Sequence, residues 1–236
     1  MSWSFRTVSK ISILTSILIL AGCATVTSNI YHSPSGQPPP LSSRILVMPP
    51  EVVVYLKNAG GNNEPRADWS DLVKYNLTDS IFEYMFENAV EVVPYPSESL
   101  LDEHVELIGQ AAVMMDAIEL SQYQGGATGV GRVYALSGDN IETISDIGAD
   151  YVLVTELTSE VASTGRIAVA VLTAVAGVYT ETSSAQFRVG LFDLRDGQII
   201  WANNDRQALA DIGNVVEASP QAWAGAIEHI LSEFPL

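Results

Sequence analysis

The sequence predicts an α/β fold in which helices pack on a mixed β-sheet within a single domain. Short continuous apolar runs, typical of buried strands, alternate along the chain with longer segments whose apolar residues recur every three or four positions. That recurrence places the apolar residues on one face of a helix, which can then cover a sheet. An Asp-Gly pair between two apolar runs adds an antiparallel hairpin. The predicted order of elements is β-α-β-α-α-β-β-β-β-α.

The first part of the domain is predicted to contain a strand, a helix and a second strand. Order is expected to begin at Arg44, because the apolar run at 45–48 ends at two prolines as a buried strand would. A loop rich in Gly and Asn at 60–63 separates this strand from a helix with Asp68 as its expected N-cap. The apolar stripe of the helix is Leu77, Ile81 and Met85. Residues 90–93 predict the second strand.

Two helices and a strand are predicted next. Residues 97–121 favour a helix with a break near Gly109, and residues 139–147 favour a short helix followed at once by a strand from Tyr151. The glycine-rich segment 125–131 does not match a nucleotide-binding loop, because its glycine order is wrong and no Lys-Ser or Lys-Thr follows it. It is expected to be a surface loop.

The last elements are a hairpin and a closing helix. Apolar runs at 189–194 and 198–201 flank Asp196 and Gly197, two residue types that tolerate the positive φ of a tight turn. Near the end, Ser-Pro at 219–220 is typical of an N-cap followed by proline in the first helical position.

The N-terminus has the three parts of a secretory signal peptide. Residues 1–10 carry two basic residues and no acid, residues 11–20 form an apolar run, and Ala21 and Gly22 are small. The run is shorter than the roughly 20 residues that cross a bilayer. The only cysteine of the chain, Cys23, follows directly. The motif Leu-Ala-Gly-Cys closely resembles the lipobox of bacterial lipoproteins.

The lipobox resemblance implies a membrane anchor at Cys23. In lipoproteins of this type a diacylglycerol alkylates the thiol, cleavage falls between Gly22 and Cys23, and an acyl chain such as palmitate is added to the new amino terminus. Alanine instead of aspartate at the next position, Ala24, favours the outer membrane. No cofactor is expected beyond these covalent lipids. The alternative is an ordinary signal peptide with an incidental cysteine.

These features divide the chain into three parts. Residues 1–22 are the signal peptide, residues 23–43 are the lipidated cysteine with a flexible tether rich in Pro and Ser, and residues 44–236 are the α/β domain. A tether lets the domain stand away from the bilayer. The expected location is the outer membrane, lipid-anchored and facing the periplasm.

The chain is strongly acidic, with a formal net charge of −17. The signal peptide holds two basic residues and no acid, so the mature chain carries −19. Nucleic acid is excluded as a partner, because phosphate binding depends on clusters of Lys and Arg. A basic protein surface would be attracted, although solubility alone is the simpler explanation.

Several motifs of the domain resemble a superfamily of envelope lipoproteins and periplasmic domains. The motifs are RILVMPP, IFEYMFENA, VEVVPYP, DIGADYVLVTEL and VGLFDLRDGQIIWAN. The superfamily includes the curli-secretion lipoproteins, the lipoprotein activators of penicillin-binding proteins, and the N-terminal domain of the Tol-system β-propeller protein. The resemblance implies a small α/β domain used for binding or assembly. The chain departs from the pattern at 109–138, which resembles an insertion, and at 166–179.

Motifs for catalysis or metal binding are missing from the sequence. It contains no G-x-S-x-G elbow, no H-E-x-x-H and no Walker motif. The three histidines are scattered and each is expected on the surface: His32, His104 and His229. Asp193 with Asp196 or Asp205 is a conceivable carboxylate pair, but the turn explains Asp196 without catalysis. No catalytic residue and no metal ligand are therefore expected.

The tract RIAVAVLTAVAGVY at 166–179 has three interpretations. A transmembrane β-hairpin needs a polar face alternating with an apolar face, which the tract lacks. A helix on the membrane or on a partner suits the alanines but lacks the charged face of an interfacial helix. A strand buried on both sides is the preferred prediction. An exposed tract would instead be an interaction patch, whose members are Ile167, Val169, Val171, Leu172, Val175 and Val178.

Together these features predict a non-enzymatic accessory or assembly factor that binds another cell-envelope protein. The first alternative is a subunit of an oligomeric outer-membrane secretion channel of curli type, which would form a homo-oligomer. The second is a hydrolase of unrecognised type, which would require a buried carboxyl pair with a shifted pKa in a pocket.

Overall fold

A mixed β-sheet forms the middle layer of the domain in the computed structural model, which describes residues 29–34, 38–40, 42–97, 100–123, 133–205 and 212–235. Within these ranges the sheet has eight strands: β1 (Asn29–His32), β2 (Arg44–Val47), β3 (Glu51–Lys57), β4 (Asn63–Pro65), β5 (Glu91–Pro94), β6 (Tyr151–Ala162), β7 (Ser184–Asp193) and β8 (Ile199–Asp205). The same ranges contain five helices: α1 (Ala67–Glu87), α2 (Leu101–Tyr123), α3 (Gly138–Ser145), α4 (Thr164–Val175) and α5 (Pro220–Ile230).

Strand β6 organises the sheet, whose order is β1-β8-β7-β6-β2-β5. The beginning of β6 runs parallel to β2, its second half runs parallel to β3, and β7 pairs antiparallel with both halves. The pair β2–β5 is parallel, whereas β1–β8, β7–β8 and β3–β4 are antiparallel. The sheet is therefore mixed, as predicted.

Helices cover both faces of the sheet. On one face α1 and α5 bury an apolar cluster that includes Leu77 and Trp223. On the other face α2 and α3 bury a second cluster that includes Leu107 and Ile144. Packing of this kind, more than intrinsic propensity, stabilises helices in proteins. The predicted fold class, a single α/β domain with helices on a mixed sheet, is confirmed.

The two ends of the sheet differ. At the end we call the hairpin end, the predicted turn joins β7 to β8: Gly197 has a φ of +73°, and the Gln198 N–H donates to Asp196 Oδ1 at 3.0 Å. A Cβ at Gly197 would lie 2.8 Å from the Leu136 carbonyl oxygen, so only glycine fits there. At the opposite end, which we call the α4 end, β6 leads into α4 and the chain returns through β7.

Strand β1 lies within the segment predicted to be a tether. Asn29 pairs with Asn204 and His32 with Trp201, antiparallel to β8. The folded domain therefore starts by Asn29 and not at Arg44. Because β8 runs towards the α4 end and β1 runs against it, the chain enters β1 from the side of the α4 end, and Asn29 lies level with Glu156 in the middle of β6. The sequence gives little sign of this strand, since its main-chain partners are supplied by the edge of β8.

Three smaller predictions are also corrected. The loop at 60–63 contains the turn of a hairpin between β3 and β4. Helix α1 begins at Ala67 with Arg66 in the N-cap position, and Asp68 forms an ion pair with Arg66 instead of capping the helix. Helix α2 continues through Gly109 without a break.

Candidate functional site

The predicted lipidation residue, Cys23, lies outside the described residues, and so do Gly22 and Ala24. Their roles in lipidation, cleavage and sorting stay predictions. What the fold adds is the position of the first described strand. Asn29, the first residue of β1, is only the sixth residue after Cys23.

Helix α4 occupies the tract predicted to be a buried strand, so that prediction is wrong. Ser163 begins the helix, with its Oγ accepting a hydrogen bond from the Arg166 N–H at 3.2 Å. Gly177 ends it with a φ of +77°, and the Val178 N–H donates to the Thr173 carbonyl at 2.9 Å. A glycine in the left-handed region is a common way to close a helix.

The strand prediction failed because alternating alanine and branched residues suit two kinds of structure. Alternation separates small from bulky side chains on a strand, but alanine is also the strongest helix former. The local signals for a helix were Ser163, a preferred N-cap residue, and Ala-Gly at 176–177, a typical helix end. These capping residues could have identified the helix from the sequence.

None of the residues of α4 is buried. Val171 is 61% exposed, Leu172 72% and Val175 88%. Ile167 and Val178 are exposed too, whereas Val169 is half-buried. Tyr179, which the sequence pattern did not single out, is also exposed. We call the exposed set the apolar tip: Ile167, Val171, Leu172, Val175, Val178 and Tyr179. Exposed apolar patches of this kind mark contact sites, and the use of the apolar tip as one stays a prediction.

Side-chain hydrogen bonds hold the returning chain against α4. Arg166 Nε donates to the Glu181 carbonyl oxygen at 3.1 Å. The hydroxyl oxygens of Thr173 and Thr180 lie 2.7 Å apart. These bonds fix the returning chain against α4, so the apolar tip has a defined conformation.

The charged groups at the base of the apolar tip are paired. Lys57 Nζ lies 2.5 Å from Glu160 Oε2 and 3.3 Å from Glu181 Oε2. The hydrogen bond with Lys57 lowers the pKa of Glu160, and the same bond raises the pKa of Lys57. Between Glu160 and Glu181 the sequence contains no acid, and its only basic residue is Arg166.

A second surface is an open groove of about 710 Å³ between α1 and α5, which we call the acidic groove. Its lining includes three carboxylates: Glu83, Glu87 and Glu228. Tyr84 Oη donates to the Leu231 carbonyl at 2.8 Å and joins the two walls. After α1 the chain enters β5 at Glu91, which pairs with Arg44 at the start of β2. The C-terminal part of α1 therefore lies towards the hairpin end, away from α4.

The structure gives each of the candidate catalytic carboxylates a structural partner. Asp193 pairs with Arg195 in the hairpin turn, where Asp196 accepts from the main chain. Asp205 lies at the opposite end of β8, and His229 Nε2 is 3.0 Å from its Oδ2. Asp193 and Asp205 are therefore not brought together.

One buried carboxylate, Glu156, was not singled out from the sequence. Burial and the neighbouring Glu51 carboxylate raise the pKa of Glu156 to about 7, although Arg188 Nη2 lies 3.0 Å from its Oε2. Arg188 also pairs with Asp116 of α2. Because side chains alternate along a strand and Leu157 packs in the α1–α5 cluster, Glu156 faces α2. It therefore lies on the opposite face of the sheet from the acidic groove.

The histidines have different environments. His104, expected on the surface, is buried, with Nδ1 2.5 Å from Tyr95 Oη and Nε2 3.1 Å from the Thr143 carbonyl. His32 and His229 have exposed side chains. Within the described ranges, no three His, Cys, Asp or Glu side chains are grouped as metal ligands would be. Every helix in those ranges is too short or too polar to traverse a bilayer.

Comparisons with known proteins give only distant similarities. No family model matches the chain, and no curated protein matches it. The chain is similar to two crystal forms of a PelC dodecamer from Paraburkholderia phytofirmans, each with 11% identity and a TM-score of 0.37 over 89% of this chain and 99% or 96% of that chain. It is also similar to the LpoB C-terminal domain from Salmonella enterica, with 13% identity and a TM-score of 0.29 over 73% of this chain and 85% of that chain. Similarity at this level assigns neither a family nor a function.

Proposed function

We propose that this protein is a lipoprotein held in the outer membrane by a diacylglycerol and an N-acyl chain on Cys23. Its α/β domain faces the periplasm and acts as an accessory or assembly factor by binding another cell-envelope protein. It performs no chemistry of its own.

The observation that carries this proposal is the short connection between the lipobox and the fold. Cys23 directly follows an apolar signal segment, and the described domain begins at Asn29. Six residues span at most about 20 Å even when fully extended. A lipidated Cys23 would therefore keep the domain at the bilayer surface, where it meets other components of the envelope.

The acidic groove is the surface we assign to the protein partner. Glu83, Glu87 and Glu228 line it, and the mature chain carries a formal charge of −19. Complementary charge accelerates association and selects against wrong partners. We therefore expect the partner to present a basic segment.

The pairing of the buried acids favours binding over catalysis. Glu156 faces Arg188, Asp193 faces Arg195, and Asp205 faces a histidine. Glu156, the carboxylate with a raised pKa, lies on the opposite face of the sheet from the acidic groove. The secretion-channel alternative expects membrane insertion of 166–179 and a stable ring, and residues 166–175 of that tract are helical.

The anchor is tested by Cys23→Ala. The variant should move from the membrane fraction to the soluble fraction, with an unchanged circular dichroism spectrum, because Cys23 precedes the described fold. Intact-mass measurement of the wild-type protein should show the added lipid. Absence of the added lipid from the wild-type protein would contradict the anchor.

Partner binding is tested by mild crosslinking of the full lipoprotein in its own envelope, followed by affinity capture and mass spectrometry. We expect one heterologous partner, and severalfold weaker capture by the double variant Glu83→Gln, Glu87→Gln. The matched control is Glu103→Gln, Glu106→Gln, which removes two exposed acids from α2. Equal loss in both variants would show that overall charge and not the acidic groove is responsible. A closed ring of this chain alone would favour the channel instead.

A further inference from the structure

We infer that the apolar tip docks on the same bilayer that holds the lipid anchor, so that the domain contacts the membrane at two points, Cys23 and α4. The inference rests on the proposed lipidation of Cys23. It concerns the orientation of the domain, which the anchor alone does not determine.

The register of the sheet places the N-terminal end of β1 level with the middle of β6, and the chain enters β1 from the side of the α4 end. Asn29 lies opposite Asn204 of β8, which lies opposite Arg188 of β7, which in turn lies opposite Glu156 of β6. These four residues are therefore level with one another across the sheet. From Glu156, strand β6 continues six residues to Ala162, a distance of about 20 Å.

The reach of the anchor matches that distance. Cys23 is six residues before Asn29, so it lies at most about 20 Å from it. The chain enters β1 from the α4 end, because β1 is antiparallel to β8. When residues 23–29 are extended, Cys23 can reach the level at which β6 passes into α4. A bilayer that holds Cys23 can therefore lie at that level.

Charge at the α4 end suits a lipid surface. The stretch 161–180 contains no acid and a single base, Arg166, in a chain that carries −17 overall. The β3–β4 turn, which approaches Arg166 at Gly61, is also uncharged over 58–63. Anionic headgroups repel acidic residues and attract basic ones. The apolar tip itself therefore carries none of the acids that a lipid surface would repel, whereas the acidic groove does.

The dimensions of α4 suit a helix that lies on the bilayer. Its 12 residues give a length of about 18 Å, whereas crossing takes roughly 20 residues. Apolar side chains of an interfacial helix enter about 5–10 Å into the boundary between headgroups and acyl chains. Tyr179 is of the type enriched at that boundary. The charged face that such helices usually have is replaced by the base of the apolar tip, where Arg166 and the Lys57–Glu160 pair lie.

This orientation leaves the acidic groove accessible. The C-terminal part of α1 lies towards the hairpin end, which would point away from the membrane. Membrane docking and partner binding would then use opposite ends of one domain.

The test places a single environment-sensitive label on the lipidated protein. The chain has no cysteine other than Cys23, so Val171→Cys supplies the only free thiol once Cys23 is lipidated. The matched control is Val105→Cys, because Val105 is 65% exposed, against 61% for Val171. Val105 lies beside His104, which contacts α3 near the hairpin end. Each variant is labelled with a nitrobenzoxadiazole fluorophore and reconstituted in vesicles of phosphatidylethanolamine and phosphatidylglycerol with or without doxyl-labelled lipid.

We expect a blue-shifted emission at position 171 and severalfold stronger quenching by doxyl lipid than at position 105. Equal, water-like emission at both positions in a vesicle-bound protein with a lipidated Cys23 would overturn the docking and leave the anchor standing. A blue-shifted label at 171 that doxyl lipid does not quench would place the apolar tip against a second copy of the chain, and would also overturn the docking. Failure of lipidation is seen separately by intact mass, and it would remove both the anchor and the docking.

Discussion

Helices α1 and α4 show that apolar content alone does not decide whether a helix is buried in its own domain. Charged residues interrupt α1, yet it buries Leu77 and Ile81 against the sheet. Helix α4 has only one charged residue, Arg166, yet none of its residues is buried. The difference is position: α1 returns along a face of the sheet, whereas α4 connects the ends of β6 and β7 and belongs to neither core cluster. An apolar helix in that position is available to a surface outside the domain.

The largest expected effect is on the free energy of unfolding, when the same leucine-to-alanine substitution is made in each of the two helices. Leu77→Ala should lower the free energy of unfolding by about 2–5 kcal/mol, because Leu77 is fully buried and its truncation leaves a cavity. Leu172→Ala should change it by less than about 0.5 kcal/mol, because the side chain is exposed. Urea unfolding of the Cys23→Ala protein, followed by tryptophan fluorescence, measures both. A similar cost for the two variants would mean that α4 packs on its own domain, and the comparison would fail.

The elements that could be predicted from the sequence are those that local chemistry determines. Asp196 and Gly197 determine the hairpin turn, and Ser219 begins α5 with its Oγ accepting from the Ala222 N–H. Strand β1 could not be found this way, because a four-residue polar strand owes its existence to the edge of β8. The α4 tract was ambiguous, because its alternation suits both a strand and a helix.

The candidate site also combines features that only the sequence shows with features that only the fold shows. The lipobox at Cys23 is visible only in the sequence, since the structure does not describe it. The position of Asn29 relative to α4 is visible only in the fold, because the register of four strands determines it. The acidic groove likewise joins residues from α1 and α5 that are far apart in the chain.

A smaller effect distinguishes two carboxylates of β6, one in the body of the domain and one at the base of the apolar tip. The pKa of Glu156 is raised from 4.5 to about 7, so the native state binds more protons than the unfolded state between these values. Relative to Glu156→Gln, the wild-type protein should lose stability as the pH rises from 4.5 to about 7. The pKa of Glu160 is lowered, so its stabilisation relative to Glu160→Gln should be present above 4.5 and lost as the pH falls through the folded-state pKa.

Thermal unfolding of the wild-type protein and both variants, from a pH below 4.5 up to about 7, measures the two slopes. Glu156 should shift the melting temperature by several degrees across its window, since about 1 kcal/mol corresponds to about 2–4 °C in a domain of this size. The slopes should have opposite signs. Slopes of the same sign would mean that Arg188 controls Glu156 as Lys57 controls Glu160, and the distinction between body and base would be lost.

The smallest effect on stability concerns the surface of α4 itself. Val175→Ser should change the free energy of unfolding by less than about 0.5 kcal/mol, because Val175 is 88% exposed. Its effect should appear in association instead. Without a bilayer, the Cys23→Ala protein exposes the apolar tip to water, so it should self-associate with rising concentration in sedimentation velocity, and Val175→Ser should reduce that association. Val113→Ser is the matched control, because Val113 is 68% exposed on α2. If the two serine variants reduced association equally, exposed valines in general would be responsible, and α4 would have no special part in contacts beyond the domain.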